Sequence, residues 1–141
     1  MFGIYQVVSD TDLPLKKLNT GKVRDIYEID PYTLFIVTTD RISAFDVVLP
    51  NPIPSKGICL NQLSRFWFEY FKEVIPNHMI STDMSSFPDN VKPYEKQVKH
   101  RSMLVRKTKV IPIECIVRGY ISGSAWRSYK KDGTVCGIKL R

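Results

Sequence analysis

Residues 23–38 constrain the fold of this chain more than any other stretch. In V-R-D-I-Y-E-I, residues 23–29, Val23, Asp25, Tyr27 and Ile29 alternate with Arg24, Ile26 and Glu28, the period of a strand. Asp30-Pro31 supplies a turn, and T-L-F-I-V-T, residues 33–38, is an apolar, β-branched run. The spacing predicts an antiparallel hairpin whose second strand is buried. Ser102 to Arg106, S-M-L-V-R, reads as another strand of the buried type. Ile58 to Val74 is the clearest helix: Leu60, Leu63, Trp67 and Phe71 fall at helical spacing, and Phe66, Phe68 and Tyr70 widen the stripe. Such a stripe is expected to face a core. The pattern as a whole is α+β with an antiparallel sheet.

The chemistry concentrates in I-P-I-E-C-I-V-R-G-Y-I-S-G-S-A-W-R-S-Y, residues 111–129. Ile111, Ile113, Cys115 and Val117 are expected on one face of a strand, with Glu114 and Arg118 on the other. Gly119 and Gly123 bracket Tyr120, Ile121 and Ser122, and a helix is expected over Ala125–Lys131. Backbone N–H groups at such a helix start, together with Arg118, suit an anionic ligand. Glu114 and Arg118 can equally pair with each other on a sheet face.

Earlier in the chain, residues 1–18 are expected to form an arm with a short helical turn, and Asn19-Thr20-Gly21 a turn. G-K-V-R, residues 21–24, could lie over phosphates or be an exposed basic strand edge. It is not a Walker A loop, because no G-x-x-x-x-G-K-[ST] is present. Asp40, Arg41, Ser43 and Asp46 sit where a strand leaves the sheet, a place where an Asx turn is common. Pro50 to Gly57 is a proline-spaced loop ending in a helix start, and Lys56 there faces either a site or solvent. His78 has no partner that the sequence names. Residues 81–100, with Pro88 and Pro93, are expected to form a loop with a short edge strand, and 107–109 a polar link. The tail, 132–141, reads as a turn at Asp132-Gly133 followed by a strand start.

Composition narrows the class. The 141 residues are 43% hydrophobic and 25% charged, which fits a globular protein and argues against disorder. No apolar run is long enough to span a bilayer, and the N-terminus lacks the pattern of a secretory signal. Cys59, Cys115 and Cys136 have no metal-ligand spacing and are expected to be reduced thiols in a cytoplasmic protein. The net charge of +7 fits a nucleic acid, phosphorylated small molecules, or one part of a protein whose acidic part lies elsewhere.

Four motifs in order, G-K-V-R-D-I-Y, T-T-D-R-I-S-A-F-D, L-N-Q-L-S and E-C-I-V-R-G-Y-I-S-G-S-A-W, resemble the phosphoribosylaminoimidazole-succinocarboxamide synthase (SAICAR synthase) family. The resemblance implies a sheet lobe over 1–106, of the kind found in ATP-grasp and kinase lobes. It further implies a hinge and the start of a second, truncated α+β lobe over 107–141. It implies a magnesium- and ATP-dependent ligase of purine biosynthesis that joins L-aspartate to carboxyaminoimidazole ribonucleotide. Within it, Gly21, Lys22 and Arg24 would cover the ATP phosphates, and Leu104, Lys107 and Val110 would receive the adenine at the hinge. Asp46 and Glu114 would hold metal or substrate polar groups, and Arg118, Ser122 and Ser124 the imidazole ribonucleotide. Members of that family are appreciably longer, so the chain is expected to be an N-terminal part, with small-molecule partners, no membrane and an open oligomeric state. The other class that the charge permits is a basic module for RNA or single-stranded nucleic acid.

Overall fold

The structure is a computed structural model that describes residues 6–117 and 119–141. Arg118 therefore lies outside the described residues. The chain divides into two compact units, Met1–Lys109 and Val110–Arg141.

The first unit is built on a five-stranded antiparallel sheet. Its strands are β1 (Lys16–Thr20), β2 (Arg24–Asp30), β3 (Thr33–Thr38), β6 (Met79–Ser81) and β7 (Ser102–Arg106), in the order β1-β2-β3-β7-β6. The predicted hairpin is its centre, with Ile26 opposite Ile36 and Tyr27 opposite Phe35. β7 then pairs along β3, setting Leu104 opposite Phe35 and Met103 opposite Ile36. Residues 16–20, expected in an arm and turn, instead form the edge strand, and no helix is found among residues 6–15. A two-strand hairpin, β4 (Ser43–Ala44) and β5 (Val47–Val48), follows the sheet's third strand in sequence.

The two faces of the sheet differ. On one, Tyr27, Phe35, Val37 and Leu104 pack with Leu13, Phe87, Val91 and Val98 into the core. The ring of Phe87 meets that of Phe35 edge-on at 4.8 Å. Its covering layer is residues 84–98, two short 3-10 turns and α2 (Glu95–Val98). These replace the edge strand expected between 81 and 100. On the other face, Ile26, Leu34 and Ile36 are only half-buried, and α1 (Lys56–Tyr70) crosses one end of it.

The helix differs from expectation in which side it buries. Gly57 and Asn61 are its buried residues, and Ser64 and Phe68 follow them at helical spacing onto the sheet. Leu63, Phe66, Trp67, Tyr70 and Phe71, assigned above to a core, are exposed. The aromatic stripe has a partner only in itself, with Phe66 against Tyr70 and Trp67 against Phe71. Hydrophobic periodicity identifies an apolar face but not the surface that covers it, so the helix was legible and its orientation was not.

Two buried ion pairs fasten the loops to the sheet. Asp40 is fully buried, lies 3.0 Å from the buried Arg101 guanidinium, and accepts the N–H groups of Val8 and Gly57. Asp25, also fully buried, accepts from the Thr11 hydroxyl and from Arg41 at 2.7 Å each. Together they tie the 8–11 segment, the loop after β3 and the start of α1 to one another.

The second unit holds α3 (Gly123–Asp132) and a small hairpin, β8 (Thr134–Val135) with β9 (Ile138–Lys139). Gly133, left-handed at φ 72°, ends the helix and donates to the Tyr129 carbonyl. The strand expected over Ile111–Val117 is absent among its described residues, which are exposed. A strand needs a partner ladder, and Pro112 has no N–H to give one.

Candidate nucleotide site

The loop from Gly21 to Val23 turns tightly between β1 and β2, closed by the Gly21 N–H on the Arg24 carbonyl at 2.7 Å. One side chain pins its backbone. Arg41 donates to the carbonyls of Gly21 (2.8 Å), Lys22 (3.3 Å) and Ser9 (2.6 Å), and is itself anchored on the Asp25 carboxylate. With its backbone carbonyls engaged from below, the loop is free to project its lysine outward. The Lys22 ammonium meets the Asp46 carboxylate at 2.6 Å, and that hydrogen bond holds the Asp46 carboxyl below the usual aspartate range. The sequence offered Lys22 and Asp46 as two separate contacts, and the structure brings them together. The Arg24 side chain, by contrast, has no hydrogen-bond or ion-pair partner among the described residues.

Asp46 reaches Lys22 from the tip of the β4–β5 hairpin. The two tip residues, Phe45 and Asp46, both have positive φ, 49° and 65°, a conformation that glycine or asparagine takes easily and phenylalanine does not. Phe45 is fully exposed there, so its ring gains nothing from packing in this unit. Phe45→Gly is therefore expected to leave the urea midpoint unchanged or raise it, with a gain in unfolding free energy of at most about 1 kcal/mol. A clear fall in the midpoint would show that the ring supports the fold.

From Arg24 the open face of the sheet runs across Ile26, Leu34 and Ile36 to Glu28. Arg24 and Glu28 lie on the same side of β2, roughly 13 Å apart for four residues of strand. At the far end Glu28 holds the Lys107 ammonium at 2.6 Å and that of Lys16 at 3.2 Å. Lys107, then Lys16, hold its carboxyl below the usual glutamate range. The arrangement is a half-open apolar floor with an unpaired cation at one end and the inter-unit link at the other.

The structure bears on three of the sequence-derived assignments. Leu104 lies in the core on the opposite face. The residues of β7 turned toward the open face are Met103 and Val105, as the pairing of Met103 with Ile36 and Val105 with Leu34 requires. The N–H of Lys107 is occupied by the Tyr32 carbonyl at 2.7 Å, so that group cannot donate to a ligand at the hinge. Val110 is exposed and begins the second unit.

In the second unit Glu114 is exposed outside any strand, Ser122 is the N-terminal cap of α3, and Ser124 lies in its first turn. Ser122 is exposed and makes no capping bond with its side chain, so the first helical N–H groups lack that partner. The proposed pairing of Glu114 with Arg118 falls on a residue outside the described ones. Among the described residues no three acidic, histidine or cysteine side chains converge as a metal site. No helix among them is long and apolar enough to cross a membrane. The exposed, mutually packed aromatics Phe66, Trp67, Tyr70 and Phe71 lie along α1, whereas a nucleic-acid module stacks bases on aromatics of a strand face.

Sequence reasoning missed Met103, Val105 and the apolar floor, although the alternation over 23–29 already separates Ile26 from Tyr27. It named Arg41 but missed its role, which depends on carbonyls from two separate segments, at Ser9 and at Gly21 and Lys22.

The motif order is matched by comparison with known proteins. The family model for SAICAR synthetase matches residues 17–140. The phosphoribosylaminoimidazole-succinocarboxamide synthase of Syntrophotalea carbinolica is 55% identical over 135 residues, 95% of this chain and 45% of that protein. That of Syntrophobacter fumaroxidans is 52% identical over 141 residues, covering 99% of this chain and 46% of the relative. Among solved structures, the SAICAR synthase of Saccharomyces cerevisiae complexed with SAICAR aligns with a TM-score of 0.83 at 46% identity, over 95% of this chain and 48% of that one. The chain thus spans a little under half the length of these relatives.

Proposed function

Because the chain belongs to the SAICAR synthetase family, we propose that it supplies the nucleotide-binding lobe of an ATP-dependent carbon–nitrogen ligase of purine biosynthesis. The full activity would join L-aspartate to carboxyaminoimidazole ribonucleotide, releasing ADP and phosphate. The observation that carries the reading is the open sheet face, with Lys22 and Arg24 at one end and the half-buried Ile26, Leu34 and Ile36 along it. A nucleotide laid along it would rest its base over Ile26, Leu34 and Ile36 and its phosphates on Lys22 and Arg24.

The chemistry follows from charge and leaving-group ability. A carboxylate resists attack by an amine, because no good leaving group departs from it. Transfer of the terminal phosphoryl group onto one carboxylate oxygen, with ADP leaving, gives an acyl phosphate. The aspartate amine then attacks the acyl carbon, loses a proton, and phosphate departs as the amide forms. Lys22 and Arg24 would stabilise the charge on the transferring group, and no nucleophilic side chain is needed. Arg118 with Ser122 and Ser124 would hold the imidazole ribonucleotide.

Lys22 would exchange its Asp46 partner for a phosphate oxygen, an exchange made cheap by the exposure of the pair. Asp46 would thereby become available to hold magnesium. Magnesium is commonly held by one or two carboxylates together with phosphates, so this carboxylate fits it only once the nucleotide is in place. When bound it would neutralise charge on the phosphates.

Lys22→Met and Arg24→Met are each expected to weaken ATP binding on the order of tenfold, about 1.4 kcal/mol, with adenosine binding little changed. Calorimetry with both ligands measures this, and equal losses for ATP and adenosine would refute the phosphate assignment. For the reaction itself, ADP release should require both the imidazole carboxylate and aspartate in a chain extended to the length of the relatives.

A further inference from the structure

We propose that His78, together with Arg24 and Ser64, forms a pocket for a tetrahedral oxyanion, the terminal phosphoryl group of the bound nucleotide. This inference rests on the nucleotide reading above and adds to it the residues that receive the group to be transferred.

The pocket is a cavity of about 120 Å³ between the open sheet face and α1, lined by Arg24, Thr38, Ser64 and His78 with Ile36, Phe68 and Met103. That volume accepts a group of a few heavy atoms and is too small for a nucleoside. Its polar side chains arrive from four elements: Arg24 from β2, Thr38 from β3, Ser64 from α1, and His78 from the residue before β6. No carboxylate lines it.

Its electrostatics are one-sided. Arg24 brings a positive charge with no ion-pair partner among the described residues, in a unit where Lys16, Lys17, Lys22, Arg41, Arg101 and Lys107 are all in ion pairs. Lys56, whose ammonium donates to the Arg41 carbonyl at 2.9 Å, is pushed below the usual lysine range by burial first, against the opposing charge of Asp40, with Arg24 a smaller contributor. Burial first, and Arg24 second, push the His78 imidazole below the usual histidine range. Near neutral pH the pocket therefore presents a cation, hydroxyls and a neutral imidazole N–H, all donors suited to a phosphoryl oxygen.

The histidine is held in place for such a role. Its ring lies against Phe68 with centroids 5.2 Å apart. Its carbonyl accepts the Arg106 N–H at 2.8 Å. Asn77 clamps the preceding turn to α1 by donating to the Phe68 carbonyl at 3.1 Å. These bonds orient the imidazole without using its ring nitrogens.

A bound anion favours the imidazolium, so it must raise the pH at which His78 is half-protonated. The chain has two histidines, His78 and His100, which an imidazole NMR titration separates with one variant of His100. Saturating inorganic phosphate, and separately ATP, are expected to raise the His78 midpoint by about 1 pH unit and to leave that of His100 in place. Arg24→Met should abolish the effect. An unmoved His78 midpoint in both titrations overturns the pocket.

Affinities give an independent reading. His78→Phe is expected to weaken ATP about tenfold more than ADP, and His78→Gln, which keeps an N–H donor, to recover part of that loss. Equal losses for ATP and ADP would mark His78 as structural only and overturn the proposal. Lys22→Met separates the two layers of the argument. If ATP binding depends on Lys22 while the His78 midpoint stays put, only the pocket fails. If phosphate moves His78 while Lys22→Met leaves ATP affinity unchanged, the nucleotide reading fails and the pocket stands as an anion site.

Discussion

Alanine at position 57 is expected to destabilise the first unit by about 3 kcal/mol or more, enough to remove a large part of the stability of a small domain. The second residue of α1 has no room for a side chain. A Cβ built on Gly57 would lie 2.2 Å from the Thr38 carbonyl oxygen and 2.9 Å from the Arg101 guanidinium. The first obstacle is backbone at the end of β3, which cannot rotate aside. Moving the helix away would break the bond from the Gly57 N–H to the Asp40 carboxylate at 2.9 Å and loosen the buried ion pair behind it. Gly133→Ala is the control: it adds a Cβ at φ 72° with nothing within 4 Å, so its cost is conformational strain alone, roughly 1 kcal/mol. Urea unfolding of the two variants compares them directly. Similar losses would mean that close approach of helix and sheet is not what position 57 provides.

Arg101→Ala should be nearly as damaging, at about 3–5 kcal/mol, because it strands a buried carboxylate. Asp40 is 0% exposed and Arg101 2%, so water does not replace the lost guanidinium. The arginine also reaches the Thr38 carbonyl at 3.4 Å, and its removal leaves a void at the same junction. A double-mutant cycle separates charge from packing. Asp40→Asn combined with Arg101→Met is expected to lose clearly less than the two single changes added together. Strict additivity would mean that the pair does not interact as a unit.

Both positions show how unevenly the molecule can be read from its chain. The strands 33–38 and 102–106 have the bounds that their apolar, β-branched runs suggest, and α1 lies where the helical spacing places it. The glycine turn and helix of the second unit also follow their local signals, through Gly123, the exposed start of α3 and the left-handed Gly133. Lys22 and Arg24 were singled out through the family resemblance, because a Gly-Lys-x-Arg stretch on its own can equally be an exposed basic strand edge. Asp40 and Arg101, by contrast, look like ordinary polar loop residues in sequence. They lie 61 positions apart in the chain, and only their pairing makes them central.

The strand expected over 111–117 shows the reverse error. Its alternation is real, yet β structure is a property of a pair of strands, and these residues have no ladder partner among those described. The aromatic stripe of α1 erred in the same way. Its period was right, but the sheet took the small and polar side of the helix, Gly57, Asn61 and Ser64, because only that side lets the backbone come close to Thr38.

The sequence by itself determined the alternating strands, the helix, the glycine turns and the family, because each of these is carried by neighbouring residues or by a linear motif. Tertiary structure alone decided that Met103 and Val105, not Leu104, face the open side, since sidedness follows from register across strands. It alone placed Lys22 on Asp46, left the Arg24 side chain without an ion-pair partner among the described residues, and set His78 beside it. Those outcomes depend on distances between segments far apart in the chain, which local propensity and spacing do not encode.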